Sequence, residues 1–424
     1  MITYRATAPA LYPFAALTMP AQVVEHLANG LVFHRFSGGD QPVCRLTIHI
    51  PGGISELGEA TVKVFLNQLT EGTKAMSAEE IAEALDYNGA RFATQAHTHF
   101  CVTDLAMLTS RVSETLLVLY SMLTEASFPD DRLDISKLRL KNALRTSLCD
   151  PSVVADQSLS PLMWGKDNPL SNSMTEADID AVDAEMLRKV RQRLVCPSKM
   201  HAYLSGLLDT ATVDAVRSFL ESIPASGEGY DISLHPAKPE TPGTMVTKDM
   251  PSTLQCAIAC GIPTIGRDHP DYVPLRFAVM ALGGYFGSRL MSNIREEKGL
   301  TYGISSSVLG GLDGAYVYIG TLTDRKFADE VIAELRRELA DMSANPPSGE
   351  ELERFRTYAM TGLVELLDNP TSVMQYYGTQ NLVNAPADYF ECQQRVLQNL
   401  TSDEIARVSR KYLDPSLLRI SLAR

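Results

Sequence analysis

The chain from Val23 to Phe36 sets two short, mainly apolar segments on either side of Asn29-Gly30. That dipeptide accepts the positive φ angles of a tight hairpin turn, so a β-hairpin is predicted there. Cys44 to Ile50 alternates again and predicts a strand. Helical spacing follows over about 56–69 and 78–88, the second helix stopped by Asn88-Gly89. Ala90 to Leu108 returns to a strand pattern long enough for two strands, and helices fill most of 112–148.

The pattern then repeats at an offset near 218 residues. Arg191 to Ser198, with Cys196-Pro197, leads into a strand over Met200–Gly206; Arg410 to Ser416, with Asp414-Pro415, leads into a strand over Leu418–Leu422. Helices break at Asp150-Pro151 in the first half and at Asn369-Pro370 in the second, and long helical stretches from Ser113 and Ala328 precede these breaks. A repeat this long implies duplicated domains rather than a solenoid, whose unit is about 20–50 residues. Gly, Ser and Pro crowd into Pro224–Asp231 and His235–Gly243, which reads as a linker. The expected units are 1–228 and 229–424. Strands paired as hairpins, with helices grouped between them, predict an α+β fold with a mainly antiparallel sheet and helices on one face in each unit.

Composition narrows the function classes. Of 424 residues, 45% are hydrophobic and 21% charged, enough for large cores. A net charge of −13 argues against a nucleic-acid or anionic-membrane partner. No apolar run is long enough for a membrane span. Residues 1–20, broken by Pro9, Pro13 and Pro20 and carrying Arg5 alone as a basic residue, do not read as a secretory signal. Cysteines 44, 101, 149, 196, 256, 260 and 392 are odd in number and form no CxxC pair, which suits reduced thiols in a cytoplasmic protein. Cys256 and Cys260 share an apparent strand. His97-Thr98-His99 sets two imidazoles on one face of a strand, a polar pair without an evident third metal ligand. Histidines 26, 34, 49, 201, 235 and 269 are isolated.

The densest chemistry lies between 283 and 303. Gly283-Gly284 is followed by Ser288-Arg289-Leu290, then by Arg295 and by Lys298-Gly299-Leu300-Thr301-Tyr302-Gly303. This reads as a glycine turn, a short helix from near Gly287, a glycine stop at Gly299 and a strand opening at Tyr302. It is not a phosphate loop, having neither GxGxxG nor a following Lys-Ser/Thr. An Arg leaving a helix and a Tyr on the next strand offer a guanidinium fork and a phenolic hydroxyl, donors suited to a peptide carbonyl and to the oxyanion it becomes.

These motifs resemble the C-terminal half of the pitrilysin/insulinase-like zinc peptidases and mitochondrial processing peptidases. The resemblance covers nearly the whole chain and implies two homologous domains facing each other as a clamshell. It implies that Arg295 and Tyr302 hold the substrate, with Gly283, Gly284 and Gly287 in a substrate-contacting glycine-rich loop. It also implies a His-x-x-Glu-His zinc helix just before Gly72-Thr73. The two histidine positions there carry Lys63 and Asn67, and the general-base position carries Leu66. No histidine occurs in 50–90, and no Asp or Glu in 135–149 to replace the family's third ligand, a Glu on a later helix. The expectation is therefore a chain without zinc of its own, a non-catalytic subunit that binds peptide beside a zinc-bearing partner of the same family. The alternatives are a structural paralogue without hydrolytic function and a peptide-binding homodimer.

Overall fold

The computed structural model describes residues 15–225, 227–251 and 253–424. The stretch up to residue 14, including Arg5, Pro9 and Pro13, lies outside the described residues, as do Ser226 and Ser252. The first sheet comprises β1 (Val23–His26), β2 (Val32–Ser37), β3 (Val43–Pro51), β4 (Arg91–Ala96), β5 (Phe100–Leu108) and β6 (His201–Gly206). Its order is β1-β2-β6-β3-β5-β4. The second comprises β7 (Met245–Lys248), β8 (Gln255–Thr264), β9 (Thr301–Gly311), β10 (Gly314–Asp324) and β11 (Arg419–Ala423), in the order β7-β11-β8-β10-β9. Without the extra hairpin strand β1 the two orders correspond strand for strand. Each sheet has one parallel pair, β2 with β6 and β7 with β11, and is otherwise antiparallel.

The α+β expectation holds, and so does the hairpin: β1 and β2 pair around Asn29-Gly30, with Gly30 at a φ of 88°. One face of each sheet is packed by that half's own helices. On β3 the alternate residues Cys44, Leu46, Ile48 and Ile50 enter the first core, and on β8 Cys256, Ile258, Cys260 and Ile262 enter the second.

The opposite faces depart from the expectation of a sheet covered on one side only. The helix Pro151–Trp164, from the first half, lies on the second sheet, burying Ala155, Leu159, Leu162 and Met163 against Ala257, Ala259 and Ala423. The helix Pro370–Leu382, from the second half, lies on the first sheet. There Asn381 donates to the hydroxyl of buried Tyr203 at 2.9 Å, and Thr371 meets Ser205 at 3.0 Å. Both helices begin at the Asp-Pro and Asn-Pro breaks, where proline at the first helical position needs no backbone N–H partner. A glycine marks each crossing. A Cβ on Gly261 of β8 would stand 2.0 Å from the Met163 sulfur, and one on Gly378 would stand 3.0 Å from His49. The two sheets lie on either side of the proposed 228/229 limit, and one helix crosses it in each direction.

The β4–β5 and β9–β10 hairpin turns meet where the halves join. His99 donates through Nδ1 to Glu56 at 2.7 Å and through Nε2 to Asp313 at 2.6 Å, and all three side chains are at most 5% exposed. The linker adds a bond from the His235 backbone N–H to Asp313 at 2.6 Å, and the Gly53 N–H, just beyond β3, donates to Glu56 at 2.9 Å. Burial alone would lower the His99 pKa, but the bonds to Asp313 and Glu56 outweigh it and push it up to about 9. Burial likewise opposes ionisation of Glu56 and Asp313, yet hydrogen bonds from His99 and from backbone N–H groups hold both pKa values below the ordinary range. His97 does not share the face expected for it. The pair falls in the turn after β4, so His97 is exposed and meets Gln95 at 3.2 Å while His99 turns inward.

This cluster fixes the pH dependence of stability. The raised His99 pKa contributes fully below its unfolded value of about 6.5 and is lost as pH rises through about 9. The lowered carboxylate values contribute fully above their unfolded values of about 4 and are lost in acid. Denaturant unfolding should therefore give greatest stability between about pH 4.5 and 6.5, with a decline from there toward pH 9. In His99→Gln the alkaline decline should flatten; an unchanged slope would remove His99 from the account. His99→Ala, which leaves two buried carboxylates unpaired, should cost about 3–5 kcal/mol.

Candidate functional site

The helix Glu59–Gln68 carries the three positions where zinc chemistry is expected. Lys63 forms an ion pair with Glu59 one turn earlier, Asn67 is exposed, and Leu66 is 4% exposed within the first core. An ammonium has no lone pair, and a leucine neither binds metal nor accepts a proton. These side chains do not fit a zinc ion. Among the described residues no three His, Cys, Asp or Glu side chains converge as metal donors.

Arg295 and Tyr302, by contrast, meet. Arg295 Nε donates to the Tyr302 carbonyl at 2.9 Å, and the guanidinium carbon lies 5.8 Å from the Tyr302 ring centroid. Two local distortions produce this. Residues Met291–Glu297 wind as a π-helix, with the Lys298 N–H reaching back five residues to the Asn293 carbonyl at 3.1 Å. Such widened turns concentrate at functional sites. Gly299, at a φ of 63°, ends the turn in the left-handed region where its lack of Cβ is needed. The strand β9 then opens with a bulge. Ile304 faces Thr321 and Thr301 faces Thr323, so Tyr302 and Gly303 together stand opposite Leu322. A bulge re-aims side chains, and the Tyr302 side chain emerges 93% exposed.

The segment is clamped from behind. Arg289 donates two bonds to Glu351, at 2.8 and 3.0 Å, and the Asn293 amide donates to Glu334 at 3.0 Å and to Glu338 at 2.7 Å. Lys298 adds an ion pair to Glu334. The three glycines have different surroundings. Gly283, last in the helix Tyr272–Gly283, is buried, and a Cβ there would stand 2.7 Å from the Ser306 hydroxyl and 2.9 Å from Leu290. Gly284 and Gly287 are exposed.

Beside Tyr302 opens a cavity of about 530 Å3 between the second sheet and the helix Pro151–Trp164. Small residues widen it: Ala155, Ala257, Ala259, Gly303 and Gly320. In it the Tyr318 hydroxyl donates to Asp156 at 2.7 Å, and burial raises the Asp156 pKa despite that bond. Sequence reasoning missed Asp156 and Tyr318, which lie 162 positions apart, and missed Phe286, which stacks on Arg295 with 4.7 Å from guanidinium carbon to ring centroid. No short motif signals the first pair. The one available signal for Phe286 was an aromatic residue between glycines.

Residues 181–358 match the family model described as the peptidase M16 inactive domain, a span that contains Arg295 and Tyr302 but not the Lys63–Asn67 segment. The chain is 22% identical over 316 residues to the uncharacterised zinc protease YmxG of Bacillus subtilis, covering 74% of this chain and 76% of that one. It is 25% identical over 254 residues to the non-peptidase homologue YmxG of Helicobacter pylori, covering 59% of this chain and 57% of that protein. In fold it superposes on a peptidase M16 inactive domain from Pseudomonas fluorescens with a TM-score of 0.86 at 21% identity, covering 95% and 98% of the two chains. It also matches the periplasmic protease PqqL of Escherichia coli with a TM-score of 0.78 at 16% identity, covering 97% of this chain and 48% of that one.

The buried place of Leu66 sharpens what restoring the zinc motif would do. The triple variant Lys63→His, Leu66→Glu, Asn67→His puts a carboxylate into a hydrocarbon core and still lacks a third ligand. It should show no chelator-sensitive peptide hydrolysis and should unfold about 2–5 kcal/mol more easily than the parent. Elemental analysis, a peptide assay and denaturant melts of the two proteins check this; zinc-dependent turnover would show that the helix face reorganises.

Proposed function

Since this chain belongs to the peptidase M16 family as an inactive member, we propose that it is the substrate-holding subunit of a zinc peptidase assembled from two chains. The observation that carries this reading is the pairing of Arg295 with Tyr302 at an exposed strand opening, in a chain whose metal-motif positions hold Lys63, Leu66 and Asn67. The relative from Bacillus subtilis with which it shares three quarters of its length carries the name of a zinc protease, while the Helicobacter relative carries that of a non-peptidase homologue. A division of labour between two related chains accommodates both.

In this reading a zinc held by the partner chain would supply the activation of water that Lys63, Leu66 and Asn67 cannot provide here. The present chain does the rest by donation. With its Nε committed to the Tyr302 carbonyl, Arg295 has its two terminal nitrogens left for a scissile carbonyl oxygen, and the Tyr302 hydroxyl gives a further donor. Both bonds strengthen as that oxygen gains negative charge, so they favour the transition state over the bound peptide. Gly284 and Gly287, exposed in the preceding turn, are read as backbone contacts for an extended peptide. We place the assembly in the cytoplasm, on the reading that its scattered cysteines, free among the described residues, serve as reduced thiols. Among the described residues no helix is long and apolar enough to cross a membrane.

Co-purification from the native host, with mass spectrometry and metal analysis, identifies the zinc-bearing chain. In the reconstituted pair, Arg295→Ala or Tyr302→Phe should lower kcat/KM on a flexible peptide about 10²–10³-fold, or about 2.7–4 kcal/mol, with assembly and zinc content unchanged. Arg295→Lys should fail as well, since an ammonium does not reproduce the planar fork. Full activity in both single variants would favour a structural paralogue.

A further inference from the structure

Phe286 has no packing reason to be where it is. It is 63% exposed, in the turn between Gly284 and Gly287, so little of its ring surface is removed from water. Its ring pairs with a cation and with no other aromatic ring among the described residues: the Arg295 guanidinium carbon stands 4.7 Å from its ring centroid, well inside the range for a cation–π pair. The same carbon is 5.8 Å from the Tyr302 ring centroid. The Nε–H is held by the Tyr302 carbonyl at 2.9 Å, and the nearest carboxylate, Glu296, is 3.8 Å from a terminal nitrogen, beyond a hydrogen bond.

We propose that Phe286 is a positioning residue for Arg295. Its ring and the Tyr302 carbonyl together hold the guanidinium plane in one orientation and leave the terminal nitrogens as the available donors. An arginine on a helix end carries several freely rotating bonds, and a donor that must wait for the right rotamer loses the advantage of preorganisation. The aromatic face supplies the restraint without taking a donor, which a carboxylate in the same place would do. The π-helical turn contributes by setting where Arg295 leaves the helix relative to the 284–287 turn. That Phe286 acts on catalysis rests on the function proposed above; that it orders Arg295 does not.

The two levels are tested separately. In full-length protein with isotope-labelled arginine, the Arg295 side-chain resonance is assigned by its loss in Arg295→Lys, and NMR measures rotation about the Nε–Cζ bond. Rotation should be slow in the parent and at least tenfold faster in Phe286→Leu, an apolar residue without a π face. In Phe286→Trp it should stay slow. Equal rotation in the parent and Phe286→Leu, or rotation in Phe286→Trp as fast as in Phe286→Leu, overturns the proposal. In the reconstituted peptidase pair, Phe286→Leu should lower kcat at least threefold with KM little changed, and Phe286→Trp should retain activity. If rotation responds as expected while Arg295→Ala leaves turnover intact, the positioning stands and the substrate-holding reading falls.

Discussion

Each sheet has two apolar or half-apolar faces, and the helices of its own half cover one. The other face is closed by a helix from the opposite half, Pro151–Trp164 on the second sheet and Pro370–Leu382 on the first. Without that exchange Ala257, Ala259 and Tyr318 on one sheet, and His34, His49 and Tyr203 on the other, would lose their cover. The cavity beside Tyr302 exists because the exchanged helix bridges over small residues there. The geometry of the candidate site is thus set by packing between the two halves of the chain. The buried Glu56–His99–Asp313 cluster adds a polar constraint at the same junction. A carboxylate in that position is tolerated only when the imidazolium from the other half is in register with it.

Two segments of this scaffold differ in character. The positions where a zinc motif was expected follow ordinary helix physics: Leu66 fills the core, and Lys63 pairs along the helix with Glu59. The Arg295–Tyr302 region has features with a conformational cost. A π-helical turn, a strand bulge and an exposed tyrosine are each less stable locally than the regular alternative. The clamp of Arg289 on Glu351 and Asn293 on Glu334 and Glu338 offsets part of that cost. Costly geometry at Arg295–Tyr302, beside regular helix packing at Lys63, Leu66 and Asn67, is the contrast on which the proposed function rests.

Local signals in the sequence were reliable where the physics is local. Asn29-Gly30 marked its hairpin, Gly299 marked its helix stop, and the Pro151 and Pro370 breaks marked equivalent points of a repeat. The meeting of Arg295 with Tyr302 followed from a helix end and a strand start only seven residues apart. Where contacts span the chain the sequence was silent. Nothing in it told that the helices beyond those two prolines change sheets, or that His99 reaches Asp313 across 214 positions. The face assigned to His97 and His99 was wrong because a turn, rather than a strand, runs through them. The bulge that turns Tyr302 outward depends on the register of β9 against β10, which neither strand encodes alone.

The central claim is that Arg295 and Tyr302 complete a metal site contributed by another chain. A structure of the co-purified pair, bound to a peptide mimic that places an oxyanion on the zinc, tests it most directly. The account predicts that an Arg295 terminal nitrogen and the Tyr302 hydroxyl both lie within hydrogen-bond reach of that oxygen, roughly 2.6–3.2 Å. A complex in which this pair faces away from the metal, or in which the oxyanion takes its donors from the zinc-bearing chain alone, would contradict it.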